Sequence, residues 1–289
     1  MALRSKFKTI GKSLKDFWWN YSRNKAAVLG LAVVIMLVLV AIAAPLITPY
    51  SPLSVGIFQR LQAPSIVNIM GTDDLGRDML CRVVYGSRIS LAIGLSVALA
   101  SACAGLVVGA LSGYFGGRID DLIMRITDVF QTIPRFFLAI LLVALWGRST
   151  VVVIFALSVL SWPVTARIVR AQTLSLREME FVTAARSIGE SNSHIIFREI
   201  VPNLLSLVIV NTTLMIASAI VIEAGLSFLG LGDPSVTSWG RMLSEAQGFL
   251  RDAWWMVVFP GVAISAAVLS FNLVGDGLND AFNPKVEKI

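Results

Sequence analysis

Long runs of uncharged, apolar residues alternate with short charged segments along this chain. Five runs contain no Asp, Glu, Lys or Arg, and they cover residues 26–47, 90–113, 149–166, 200–222 and 253–275. A helix needs roughly 20 apolar residues to cross the hydrocarbon core of a bilayer. Each run therefore predicts a membrane-spanning helix.

A sixth apolar run, residues 136–147, has only 12 uncharged residues and is too short to cross on its own. We expect its helix to extend upstream through Ile133, Pro134 and Arg135 toward Asp128. The pattern as a whole predicts an all-α membrane protein with six transmembrane helices.

The composition supports this class. Apolar side chains make up 56% of the 289 residues and charged side chains 15%, whereas a soluble domain averages about 25% charged. Two cysteines and one histidine cannot build a disulfide framework or a Cys/His metal cluster. We therefore predict no catalytic residue, no metal ligand and no cofactor in this chain.

The net charge of +6 reflects loop positions, not a nucleic-acid partner. With the N-terminus inside, the inner segments hold 17 Lys and Arg residues and the outer segments hold 7. Positive residues concentrate in cytoplasmic loops, so both termini are predicted to be cytoplasmic. The expected division is a tail (1–25), a first helix (26–48), an extracytoplasmic loop (49–87), a five-helix domain (88–277) and a tail (278–289).

The predicted cytoplasmic loop 167–199 contains a short amphipathic pattern. Phe181, Ala184, Ala185 and Ile188 recur at the spacing of one helical face. Glu180 favours the helix N-terminus, and Gly189 suits a left-handed C-cap. Such a helix either docks on a partner surface or connects two spans while packing on its own bundle, and the pattern fits both equally.

The same loop resembles a motif of ABC importer permeases, in the form found in the peptide/nickel subfamily. The shared residues are Ala184, Ala185, Arg186, Gly189, Ile195, Ile196, Arg198, Ile200, Pro202 and Asn203. Thr183, Glu199 and Val201 depart from the general motif of all such permeases. Three further segments resemble the subfamily in the right order: residues 71–78, residues 226–240 and residues 272–278. Asn279 and Asn283 differ from it.

The resemblance implies the second (C-type) permease subunit of a dipeptide or oligopeptide importer with type I architecture in a prokaryotic plasma membrane. It implies a homologous second permease, an extracytoplasmic substrate-binding protein and two ATPase subunits or domains that hold ATP and Mg²⁺. The implied ATPase-coupling residues are Glu180, Phe181, Ala184, Ala185, Arg186, Ile188 and Gly189. Nickel chelates or oligosaccharides are alternative cargoes, and an autonomous secondary transporter or channel is the alternative class.

Two charged residues within predicted spans are candidates for the translocation pathway. Glu223 follows 22 uncharged residues, and an acid within a membrane by default marks a pathway or a buried partner. Arg135 lies in the third span, where its alternative role is to extend to the inner surface. Gly105, Gly109 and Gly113 recur every four residues and predict close helix packing.

The predicted external loop turns from proline-rich to charged before the second span. We expect Thr72 or Asp73 to cap a short amphipathic helix in which Asp78 and Arg82 are i, i+4 neighbours. This helix either helps to seat the binding protein or only covers the membrane surface.

Overall fold

The computed structural model describes residues 16–282, so predictions for residues 1–15 and 283–289, most of the two tails with Asn283, lie outside the described residues. The described chain is helical, with these elements: α1 (residues 16–23), α2 (Lys25–Ile47), α3 (Met79–Phe115), α4 (Gly117–Thr132), α5 (Arg135–Trp146), α6 (Thr150–Leu176), α7 (Glu180–Ser187), α8 (Asn192–His194), α9 (Val201–Leu226), α10 (Trp239–Ala246) and α11 (Trp255–Phe282). π-helical segments follow α8 (Ile195–Ile200) and α9 (Ser227–Leu231).

Within residues 16–282, five helical runs are long and apolar enough to cross a membrane, and the count is six if the pair α4 and α5 forms one span. The pair bends by 83°. Ile133 is extended (φ −93°, ψ 132°) because the following Pro134 disfavours helical backbone there. The expected continuation of this helix through Ile133 and Pro134 is therefore wrong, although helix does lie on both sides of the break. α5 alone, about 18 Å long, is shorter than the bilayer core.

Two spans begin or end well outside their uncharged runs. α3 begins at Met79, so Arg82 and Arg88 lie on the helix instead of ahead of it. α6 continues to Leu176, ten residues beyond its predicted end. The uncharged runs mark the part of each helix that fits the hydrocarbon core, whereas helical turns with charged residues extend beyond it.

The helices α3 and α6 pack closely through the glycines of α3. A Cβ atom on Gly105 would lie 2.5 Å from the Thr165 Cβ, and one on Gly109 would lie 2.5 Å from the Ala166 carbonyl oxygen. Gly113 approaches the backbone of α6 in the same way. The prediction of close helix packing at this spacing is confirmed.

The buried apolar residues form separate clusters along the bundle. One cluster surrounds α10 and includes Met79, Trp239, Met242 and Met256. Another lies where α3, α6, α7 and α9 meet, and it includes Tyr114, Leu176, Val182, Ile195 and Leu204. These two clusters lie near opposite ends of α3 and position the two regions described next.

Candidate functional site

The short helix α7 packs on its own bundle through one narrow face. Val182 is fully buried and Ala185 is nearly so, within the cluster that includes Leu176 and Ile195. The predicted grouping of Ala185 with Phe181, Ala184 and Ile188 on one face is therefore wrong, because Ala185 is buried and the other three are exposed. Small side chains at this face let α7 lie close to the π-helical segment Ile195–Ile200.

The opposite face of α7 is open and partly apolar. The exposed fraction is 38% for Phe181 and 78% for Ile188, and Ala184 between them is exposed too. Met179, just before the helix, is also exposed. Packing on the bundle and an open docking face, which the sequence left as alternatives, thus occur together on one helix.

Both ends of α7 have the expected geometry. Glu180 occupies the first turn. Gly189 has φ +84°, and its N–H donates to the Arg186 carbonyl at 3.1 Å, while the N–H of Glu190 donates to the Ala185 carbonyl at 3.1 Å. This confirms the left-handed C-cap at Gly189.

Aromatic and polar contacts fasten this loop to the end of α3. The Arg186 guanidinium lies 5.2 Å from the centroid of the Tyr114 ring. The Tyr114 hydroxyl donates to Asn192 Oδ1 at 2.8 Å, and Arg177 Nη1 donates to the Gly113 carbonyl at 3.0 Å. Tyr114 and Asn192 were missed by sequence reasoning, because no pattern links residues 78 positions apart.

Glu223 lies near the end of α9 and is 2% exposed. Its Oε1 accepts hydrogen bonds from the hydroxyls of Ser227 at 2.7 Å and Ser238 at 2.9 Å, whereas its Oε2 has no hydrogen-bond partner among the described residues. Ser238 is also the N-cap of α10. Within this chain, Glu223 therefore joins the end of α9 to the start of α10.

Arg135 is the first residue of α5, immediately after the bend, and is partly exposed. Its neighbour Phe136 lies against Gly225, two residues beyond Glu223. Within residues 16–282, no hydrogen bond or ion pair joins Arg135 to Glu223, whose hydrogen bonds go to Ser227 and Ser238. The pathway roles of these two residues stay predictions.

At the other end of α3, five charged residues form what we call the charged network: Asp73, Arg77, Arg82, Arg241 and Glu245. Asp73 Oδ2 accepts from Arg77 Nε at 2.5 Å and from Arg82 Nη1 at 2.7 Å. Glu245 Oε2 accepts from Arg77 Nη2 at 2.9 Å and from Arg82 Nη2 at 2.6 Å. Arg241 binds the remaining oxygen of Glu245 at 2.9 Å.

The charged network corrects the expected loop helix. Asp78 is the N-cap of α3 itself and accepts from the Cys81 N–H at 2.8 Å. Arg82 pairs with Asp73 and Glu245, not with Asp78. The charged network brings residues 71–78 against α10 through Arg77 and Glu245, and Trp239 of the same helix donates through Nε1 to the Val83 carbonyl of α3 at 3.0 Å. Glu245 was missed because a lone glutamate gives no signal.

Two acids in the loops near this end have shifted pKa values. Burial raises the pKa of Asp74, and the neighbouring Asp73 carboxylate raises it further. Partial burial also raises the pKa of Asp233, but hydrogen bonds from Ser235 and Thr150 together outweigh burial and lower that pKa to about 2. Asp233 thereby receives both the N–H and the hydroxyl of Thr150 at 2.9 Å, at the start of α6.

The sequence matches known proteins over nearly its whole length. The family model described as binding-protein-dependent transport system inner membrane component matches residues 105–288. This chain belongs to that family. A second family model, the N-terminal transmembrane domain of oligopeptide transport permease C, matches residues 13–64 of this inner membrane component.

Curated relatives and solved structures agree with the family. A dipeptide transport system permease protein of Alkalihalophilus pseudofirmus is 42% identical over 274 residues, 94% of this chain and 90% of the relative. An oligopeptide transport system permease protein of Bacillus subtilis is 38% identical over 95% of this chain and 90% of the relative. A chain of the MetNI methionine ABC transporter, solved in inward-facing conformations, has a TM-score of 0.58 at 18% identity and covers 70% of this chain and 97% of that chain.

These matches confirm the expected fold, an all-α ABC transporter permease, and the expected place in the cytoplasmic membrane as a multi-pass protein. An inner membrane component of this kind is a part of a transport system and not itself an enzyme. The orientation of the termini and the roles of individual residues stay predictions.

Proposed function

We propose that this chain is one of two homologous permease subunits of an ATP-driven importer of di- or oligopeptides. The observation that carries the proposal is the identity of 37–42% with permeases named for dipeptide, di/tripeptide and oligopeptide transport, over about nine tenths of each chain. The names of these relatives favour peptides over the alternative cargoes, nickel chelates and oligosaccharides.

The open face of α7 supports a docked ATPase. Contiguous exposed apolar side chains on a polar loop mark an interaction surface. This surface is formed by Phe181, Ala184 and Ile188, and it lies between Glu180 and Gly189 at the two ends of α7. On the opposite side of the helix, Val182 and Ala185 are buried against the bundle. The contact between Arg186 and Tyr114 then joins the surface to α3. In the proposed arrangement, ATP and Mg²⁺ are held by two ATPase subunits, and their closure moves α7 together with the adjoining end of α3.

Transport proceeds by alternating access between the two permeases. A substrate-binding protein delivers the peptide at the outer face, and both termini of this chain lie in the cytoplasm. Glu223 and Arg135 are our candidates for the pathway, since α9 carries the first and the bend before α5 exposes the second. The orphaned Oε2 of Glu223 supports a further partner for that carboxylate in some state of the cycle.

The test is reconstitution of the full complex, with and without each subunit, in proteoliposomes. We expect uptake of a labelled dipeptide that requires external binding protein and internal ATP, and no uptake by this chain alone. Competition by unlabelled peptides, a nickel chelate and an oligosaccharide then ranks the cargo classes.

Two results would overturn the proposal. Uptake driven by an ion gradient in vesicles that contain only this chain would establish an autonomous transporter. Uptake that a nickel chelate or an oligosaccharide blocks, but dipeptides do not, would retain the machinery and replace the cargo.

A further inference from the structure

Three side chains with metal-binding atoms meet at the base of the α7 loop. Glu190 follows the C-cap of α7, His194 ends α8, and Glu199 lies in the π-helical segment Ile195–Ile200. Their candidate ligand atoms all lie within 4.8 Å of one another. The closest pair, His194 Nε2 and Glu190 Oε2, is 3.1 Å apart.

The π-helical segment explains how the sequence brings these side chains together. His194 and Glu199 are five residues apart, which in an α-helix places them about 140° apart around the axis. Here the N–H of Val201 donates to the Ile196 carbonyl, the i→i+5 bond of a π-helix, so residues five apart align along one face. Ile195, Ile196 and Ile200 are buried and hold the segment in this register.

The two carboxylates lack the partners that would normally balance them. No arginine or lysine pairs with Glu190 or Glu199 in the part of the chain that the structure describes. Glu190 Oε2 is shielded from solvent and has no conventional hydrogen bond, although the imidazole lies beside it. Two carboxylates converging on one imidazole repel each other unless a positive charge lies between them. A protonated imidazole supplies one such charge, and a divalent cation bound by all three side chains supplies two.

We propose that Glu190, His194 and Glu199 bind a first-row divalent transition metal, with Zn²⁺ as the reference ion. An imidazole nitrogen selects such ions over Mg²⁺ and Ca²⁺. Small side-chain rotations bring the ligand atoms to about 2.0–2.2 Å from the ion, with water at the remaining position. The scarcity of cysteine and histidine predicted no metal site, whereas this set is two carboxylates and one imidazole.

A bound ion would link three consecutive parts of the loop: the end of α7, α8 and the π-helical segment. The effect of such an ion on transport rests on the proposed function: a loop linked in this way would hold the docking face of α7 at a fixed angle to α9. The binding itself does not depend on that function. The experiment therefore measures binding on the purified full-length chain, without ATPase subunits and without a histidine tag.

Cobalt chloride and zinc chloride are the probes. We expect one equivalent of Co²⁺ to give d–d absorption bands more intense than those of the aqueous ion, and Zn²⁺ to displace it in the micromolar range or below. His194→Ala and Glu199→Gln should each weaken Zn²⁺ binding at least tenfold, and Glu178→Gln, an exposed neighbour outside the cluster, should leave it unchanged. Zn²⁺ should also slow hydrogen exchange across residues 190–200 in the unmodified chain only.

The proposal fails if Zn²⁺ binds the His194→Ala chain as tightly as the unmodified chain, or if the d–d bands of one equivalent of Co²⁺ are no stronger with the protein than in buffer. Unfolding curves without metal separate binding loss from misfolding, because all three ligands are partly exposed and their variants should unfold like the parent. If the reconstituted complex does not take up peptides although the chain binds Zn²⁺, the proposed function is contradicted and the metal site is confirmed.

Discussion

The two ends of α3 differ in how completely this one chain satisfies its own side chains. At the Met79 end, the charged network pairs Arg82 with two carboxylates, and Arg82 is only 1% exposed. At the Phe115 end, α7 leaves Phe181 and Ile188 open. The first region is nearly closed within the subunit, and the second presents apolar surface that the subunit does not cover.

This difference separates a structural part of the permease from a part that needs a partner. A buried ion pair is costly to break because the remaining charge loses both its partner and its water. An exposed apolar face costs little to alter in the isolated chain, and its effect appears only when a second protein binds. The predictions below test whether the two ends behave in these two ways.

The largest expected effect is at the charged network. Arg82→Ala removes two charged hydrogen bonds of a buried guanidinium, one to Asp73 and one to Glu245, and should lower the free energy of unfolding by about 3–5 kcal/mol. Thermal unfolding in detergent measures it. Arg251→Ala is the control, since Arg251 is exposed and forms no ion pair with another described residue. Equal stability of the two variants would show that the network is not structural.

The second effect concerns the open face of α7. Ala184→Trp should weaken association with the ATPase subunits at least tenfold, about 1.4 kcal/mol, and abolish uptake. The unfolding free energy of the isolated chain should change by less than about 0.5 kcal/mol, because Ala184 is exposed. Co-purification and thermal unfolding give the two measurements.

Two companions sharpen this prediction. Ala184→Ser keeps the small side chain and should preserve association. Ala185→Trp overpacks the buried face and should destabilise the isolated chain by about 1–3 kcal/mol. If Ala184→Trp still assembles and transports, α7 is not the element that binds the ATPase.

The third effect is at the end of α7. Gly189→Ala should cost about 1–2 kcal/mol locally, because φ +84° disfavours any Cβ although no atom lies within 4 Å to clash with it. The expected readout is faster proteolysis within residues 187–192, by roughly 5–30-fold for that free energy. Gly248→Ala, at an ordinary φ and with equally open surroundings, should show no change. Equal rates for both variants would contradict the backbone argument.

The smallest effect is at Asp233, which accepts hydrogen bonds from the N–H and hydroxyl of Thr150 at the start of α6. Asp233→Ala should lower stability by about 1 kcal/mol at neutral pH. Because folding lowers this pKa from 3.8 to about 2, the stabilisation is present above pH 4 and is lost as the pH falls toward 2. Unfolding curves of the parent and the variant should therefore converge between pH 4 and pH 2. A constant difference over that interval would contradict the role of the carboxylate, and Asp252→Ala is the exposed control.

Much of this fold was readable from the sequence, because a bilayer enforces long apolar helices. The spans, the glycine contacts of α3 and the left-handed cap at Gly189 follow from local spacing alone. The bend at Ile133 was missed because continuity was assumed where Pro134 already argued against it. A proline beside a short apolar run is thus a stronger signal than the shortage of residues in the run.

The sites were less predictable. Spacing grouped Ala185 on one face of α7 with Phe181 and Ile188. In the structure, Ala185 lies instead on the buried face with Val182. The charged network depends on Glu245 meeting Arg82 across 163 positions, and no periodicity encodes that distance. Residues adjacent along a helix are predictable from period, whereas pairs between helices depend on tertiary packing.

The length of α3 has a mechanical consequence. Its 37 residues span about 55 Å, against about 30 Å for the hydrocarbon core. Because its glycines bring α6 into contact with the backbone of α3, the two helices cannot slide past each other without steric clashes, and they move as one rigid unit. Rotation of such a unit by about 5° around one end displaces the other end by about 5 Å, given its length. The glycines at every fourth residue therefore make the pair rigid enough that a small rotation of α3 at its α7 end produces a large displacement of the charged network at its other end.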